Sequence, residues 1–190
     1  MKIVTIRHGK SELDISHKQT ATAFRKLVAE YDELGIASSD SPPSATLERV
    51  RLLSINTKPF LIASNLKRAL DSVKPLGLGV PQIIEPQFRE CEMTLFDGHR
   101  IRLPVMMWLL LLRCLWFVGY SPNCESFKQA RMRAKDAANY LRSLAQEHEC
   151  VVLMGHGLMN RLIAKELVQL GFICCHKTGR GNWELREFEI

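Results

Sequence analysis

Apolar and polar residues along this chain follow two rhythms that take turns. Short runs of nearly continuous apolar residues, "KIVTI" at 2–6, "KPFLIAS" at 58–64 and "ECVVLMGHG" at 149–157, read as buried strands bounded by turn-forming residues. "VPQIIEP" at 80–86 is a shorter candidate. "WELREFEI" at 183–190 alternates imperfectly and reads as a strand at a sheet edge. Between these runs the apolar residues recur at helical spacing. Phe24, Leu27, Val28, Tyr31 and Leu34 share one face, and Gly35 stops it. Further helices fit 46–55, 66–74, 125–147 and 158–170, the last closed by Gly171, while 36–45 is a loop by composition. Strands alternating with helices predict an α/β domain, a three-layer α/β/α sandwich around a mostly parallel sheet.

One segment departs from both rhythms. "LPVMMWLLLLRCLWFVGY", 103–120, is apolar for nearly the length of a bilayer crossing, with Trp108 and Trp116 suited to interfaces. Arg113 sits inside the run, where a charge costs about 2.5–3.5 kcal/mol on insertion scales, and Pro104 shortens the usable helix. The expectation is a buried helix, a pocket lid or a subunit interface, such as a homodimer contact, with peripheral membrane contact as the alternative and no transmembrane span.

Composition narrows the class. With 190 residues, the chain is long enough for one core, and a single domain over 1–190 is expected, with 15–60 and 92–122 as lid or insert segments. A net charge of +6 suits anionic ligands in general. No basic run, RNP-like aromatic motif or zinc-finger spacing is present, so nucleic acid is not the expected partner. Six cysteines carry no CxxC pair, and residues 1–6 read as a strand rather than a signal peptide. Reduced thiols and a cytoplasmic location follow as expectations.

The candidate chemistry lies after the strands. Arg7, His8 and Gly9 follow the first, Arg68 the second, Glu90 the third, and His156 with Gly157 the fourth. Ligands of open α/β sheets bind beyond the carboxyl ends of the strands, so these scattered groups should meet at one edge. Two arginines and two histidines suit a phosphoryl group, because guanidinium offers planar paired donors to phosphate oxygens. Helix N-termini after Gly9 and Gly157 would add backbone donors. A neutral imidazole can serve as nucleophile, and a carboxylic acid must protonate the leaving oxygen. Glu90 is the candidate acid, with Glu92 next, and a nearby phosphate dianion favours its protonated form. Ser11 could bind phosphate or cap a helix with Asp14, since "SELD" fits a capping box. A zinc hydrolase lacks support, there being no HExxH spacing and no cluster of Cys and His.

Four ordered segments resemble a known family. "IRHGKS" looks like the RHG-T/S motif of the histidine phosphatase superfamily, in the branch that includes phosphoglycerate mutases. "ASNLKRA" resembles its S-x-L-x-R-A segment, "FRE" its L-R-E segment and "LMGHG" its second-histidine motif; beside these four, "NCESF" resembles its G-E-S-F stretch. The resemblance implies a phosphoglycerate mutase-like fold, His8 as the phosphorylated nucleophile, Arg7, Arg68 and His156 holding the phosphoryl group, Glu90 as proton donor, and no metal or organic cofactor. Asp14 stands where the family often has Asn. The expected activity is a metal-independent phosphatase acting on a phosphorylated small molecule or phosphoprotein. A mutase-like phosphotransferase and a non-catalytic scaffold module are the alternatives.

Overall fold

The computed structural model describes residues 1–55 and 57–190. Among the described residues eight strands and six α-helices run in the order β1 (Lys2–Arg7), β2 (Lys18–Thr20), α1 (Ala21–Glu33), α2 (Ser44–Asn56), β3 (Phe60–Ser64), α3 (Lys67–Val73), β4 (Ile83–Glu85), β5 (Arg102–Pro104), α4 (Val105–Phe117), α5 (Phe127–His148), β6 (Cys150–Gly155), α6 (Gly157–Gln169), β7 (Ile173–Thr178) and β8 (Leu185–Glu189). The main sheet has the order β4-β3-β6-β1-β8-β7. Its first four strands are parallel, and β8 and β7 are antiparallel additions.

The continuous apolar runs are explained by burial of both sheet faces. Ile3, Ile62, Val151 and Leu153 pack toward α5 and α6, together with Ala130, Ala134 and Leu141. Their strand neighbours Val4, Leu61, Ala63, Val152 and Met154 face the opposite way, against Val50 and Leu53 of α2 and Ala69 and Val73 of α3. This is the expected three-layer sandwich. A third cluster lies apart from the sheet, where Phe24 of α1 meets Val105, Trp108 and Leu112 of α4.

Two expectations are corrected. The C-terminal strand is not an edge strand: β8 lies between β1 and β7, and β7, unrecognised in the sequence, forms that edge. No helix follows Gly9, as residues 8–16 run without regular structure and Asp14 accepts hydrogen bonds from Ser16 instead of closing a capping box with Ser11. The short pairing of β2 with β5 was also not foreseen. Three-residue strands carry too few positions for a period to register.

The apolar 103–120 segment becomes α4, a 13-residue helix. It buries Val105, Trp108, Leu112 and Trp116, while Met106, Met107, Leu110 and Leu111 stay exposed. Among the described residues, no helix is long and apolar enough to cross a membrane.

Candidate active site

Parallel register builds the centre of the site. Arg7 at the end of β1 lies opposite Gly155 at the end of β6. The next residue of each strand is therefore a histidine beside a histidine, and His8 N–H donates to the Gly155 carbonyl at 3.0 Å. The two imidazoles stand with centroids 5.0 Å apart and planes tilted by 57°. β3 joins the same ladder through Ala63 opposite Met154, which brings Ser64 to the His156 ring, 2.8 Å from Nε2.

Each ring is oriented by what it touches. His8 Nδ1 lies 2.6 Å from the carbonyl of Gly9. A carbonyl only accepts, so Nδ1 carries the proton and Nε2 keeps a free lone pair. His8 is 2 % exposed and His156 0 %. Burial, then the neighbouring His156 and Arg68 charges, push the His8 pKa from its ordinary 6.5 down to about 3. Burial and the charges of Arg68 and Arg7 likewise hold His156 well below its ordinary value. Both rings are thus neutral at physiological pH, the form in which an imidazole nitrogen is nucleophilic.

Arg68 enters on the first turn of α3, directly after β3. Its guanidinium is 1 % exposed and donates to the Tyr31 carbonyl at 3.0 Å and to Asp32 at 3.2 Å. It also lies over the Tyr31 ring, 4.3 Å from the centroid. Arg7 packs on the start of α6, and Gly157 permits this: a Cβ there would sit 3.1 Å from the guanidinium carbon. Gly9 is required for a similar reason, since a Cβ would fall 2.4 Å from the Trp183 ring.

Glu90 stands at the same helix start. Its carboxylate accepts N–H bonds from Cys91, Leu158 and Met159 at 3.0–3.1 Å. These α6 amides, expected to face phosphate, are therefore occupied by Glu90. Glu92 is tied elsewhere, accepting from the Glu125 N–H at 2.6 Å. Ser11 caps nothing and is buried with its hydroxyl unpartnered.

Among the described residues, six buried side-chain polar atoms lack a hydrogen-bond partner, and four belong to Arg7 (Nε), Ser11 (Oγ), Arg68 (Nε) and His156 (Nδ1). Buried polar groups are normally satisfied, and such a concentration marks a place built for a polar ligand. Three of these residues, Arg7, Ser11 and Arg68, line a cavity of about 710 Å³ together with Glu90, and α1 and α4 form its other side. Among the described residues one grouping could hold a metal, Cys175, Glu187 and Glu189; it lies away from this cavity, and Glu187 is already paired with Arg49 and Lys2.

Several supporting residues escaped the sequence reading. Ser64 was present in the quoted "ASNLKRA" without a role. Asp32 and Tyr31 hold Arg68, Ser72 accepts the Gly9 N–H at 2.9 Å, and Asn182 donates to the His8 carbonyl at 3.0 Å. Apart from Ser64 none of these lies in a motif, and only their approach in space assigns the roles.

Comparison with known proteins adds to this geometry. The sequence profile described as histidine phosphatase superfamily (branch 1) matches residues 3–190. No curated protein sequence matches the chain. Among solved structures, the native mycobacterial glucosyl-3-phosphoglycerate phosphatase is 17 % identical, with a TM-score of 0.60 over 98 % of this chain and 88 % of that one. A phosphoserine phosphatase from Entamoeba histolytica, in complex with 3-phosphoglyceric acid, is 18 % identical, with a TM-score of 0.59 over 98 % of this chain and 89 % of that one. The product of a Mycobacterium tuberculosis open reading frame is 21 % identical, with a TM-score of 0.59 over 100 % of this chain and 95 % of that one. At such identities these likenesses establish the fold.

Proposed function

Because this chain belongs to branch 1 of the histidine phosphatase superfamily, we propose that it is a metal-independent phosphatase that hydrolyses phosphomonoesters through a phosphohistidine at His8. The observation that carries this reading is the neutral pair of imidazoles 5.0 Å apart, surrounded by unpartnered polar atoms on Arg7, Arg68 and His156.

In the proposed reaction His8 Nε2 attacks phosphorus and the ester P–O bond breaks. The leaving oxygen takes a proton from Glu90. Water then attacks the phosphohistidine, Glu90 recovers a proton from it, and inorganic phosphate leaves with His8 neutral again. Arg7, Arg68 and His156 hold the three non-bridging oxygens through both steps, where positioning and charge neutralisation dominate catalysis. Ser11 supplies a further hydrogen bond. Segments 15–60 and 92–122 form the wall opposite the phosphoryl group and select the substrate.

The test is trapping of phosphate from a ³²P-labelled aryl phosphate by an alkaline detergent quench, which preserves a phosphohistidine, with chelator present. Acid-labile label is expected on the native protein and absent from His8→Ala; label retained by that variant would refute the assigned nucleophile. Release of inorganic phosphate marks a phosphatase, whereas an isomerised product with a bisphosphate primer would indicate the mutase-like alternative.

A further inference from the structure

We propose that the leaving group of this site is a hydrocarbon chain: the substrate is a phosphomonoester of a long-chain alcohol, its phosphate at the sheet edge and its chain along the α1/α4 wall. This rests on the phosphatase reading above and names the substrate class that the same cavity takes.

The two sides of the cavity differ in chemistry. The phosphoryl side carries Arg7, Arg68 and Glu90. The far side is made by Phe24, Leu27 and Val28 of α1 with Met93, Val105 and Leu109, none of which offers a hydrogen bond from its side chain. These six residues belong to one apolar cluster, so the wall is continuous. A cavity of about 710 Å³ exceeds what a phosphoryl group needs and lies within the range of small-molecule sites.

Two of the cations that line the cavity are already engaged. Arg113 donates to the carbonyls of Glu92 and Cys91 at 2.8 and 3.2 Å, and lies over the Trp116 ring. Arg133 is paired with Glu125 and donates to the carbonyls of Gln87 and Arg89. Polar atoms of a leaving group set against these six side chains would be buried without partners, each costing about tenfold to a hundredfold in affinity. A methylene chain meets no such cost and gains by leaving water.

The experiment is a ladder of n-alkyl phosphates from ethyl to decyl, each below its micelle-forming concentration, with kcat/KM measured for each. A rise of about twofold to threefold per methylene is expected, giving decyl over ethyl by at least about a hundredfold. Leu27→Asn and Leu109→Asn should each lower that ratio by about tenfold. The ratio is internal, so a loss of folded protein does not imitate the effect. Leu110→Asn, on the exposed face of α4 outside the cavity, should leave the ratio unchanged. A flat or falling ladder would overturn the proposal, as would an equal loss in Leu110→Asn, which would place the chain on the outer surface. If an aryl phosphate is turned over while the ladder is flat, this inference fails and the phosphatase reading stands. If nothing is turned over, that reading fails instead. Calorimetric binding of ethyl- and decylphosphonate, run in parallel, then decides the chain site: equal affinities reject it.

Discussion

The carboxyl edge of the sheet and the α1/α4 wall face each other across one cavity, yet different forces hold them. At the edge, His8 and His156 are positioned by strand register, each one residue beyond paired strand ends. Moving either ring means slipping a ladder buried on both faces, and a one-residue slip would turn every core side chain to the wrong side. The wall has no such constraint. It is a satellite cluster of two helices, joined to the sheet by loops, and its only requirement is apolar filling. Reaction chemistry is thus placed where geometry is over-determined, and substrate choice where side chains can change without moving the catalytic groups.

The sharpest way to break this contrast is at the edge. His8→Ala should reduce aryl phosphate turnover by about 10⁴-fold or more, the scale on which loss of a nucleophile acts, while leaving the fold cooperative in thermal unfolding. A fall of only a few fold would mean that the edge does not carry the chemistry. At the wall the opposite pattern is expected. Leu112→Ala, fully inside the α1/α4 cluster and outside the cavity lining, should lower stability by about 3 kcal/mol in denaturant titration with turnover per folded molecule unchanged. Arg68→Lys returns to the edge: it keeps the charge but loses the planar fork, and kcat/KM should drop by about 10²-fold.

The smallest effect is on pH dependence. His8 is neutral in the folded state down to about pH 3 but takes up a proton near 6.5 when unfolded. The unfolded state therefore binds more protons between those values, and stability falls as pH drops through that window. Each buried histidine contributes at most about 1.4 kcal/mol per pH unit to the slope. Chemical denaturation at pH 7, 6 and 5 should show a decline that is shallower in His8→Ala. An unchanged slope would mean that His8 takes up its proton as readily in the folded protein as in the unfolded chain.

How much of this could be read from the sequence varies with the element. The parallel strands were legible because "KIVTI" and "ECVVLMG" are apolar on both faces, which only a covered sheet demands. The long helix α5 was legible through its period, and Ser126 indeed caps it in a reciprocal pair with Gln129. β7 was not: its residues are largely exposed on a sheet edge, so no apolar pattern marks it. The mistaken edge assignment of β8 has the same origin, since alternation reports burial and not which strand lies alongside. The helix expected after Gly9 failed because local capping signals compete with tertiary contacts, and Asp14 found Ser16 instead.

Among the site residues, the reactive types announced themselves by standing directly after apolar strands. Their support did not. Asp32 and Tyr31 lie 36 and 37 residues from the Arg68 they hold, within an ordinary amphipathic helix.

The amino-acid sequence alone determined which residues carry charge, which segments must be buried and where strands end, because those follow from composition and period over a few neighbouring positions. Tertiary structure alone decided that two strand ends share a register, that α6 amides go to Glu90 rather than outward, and that α4 turns one apolar face into a cavity while leaving another bare. Such outcomes depend on contacts between residues distant along the chain, and no local pattern encodes the distance between them.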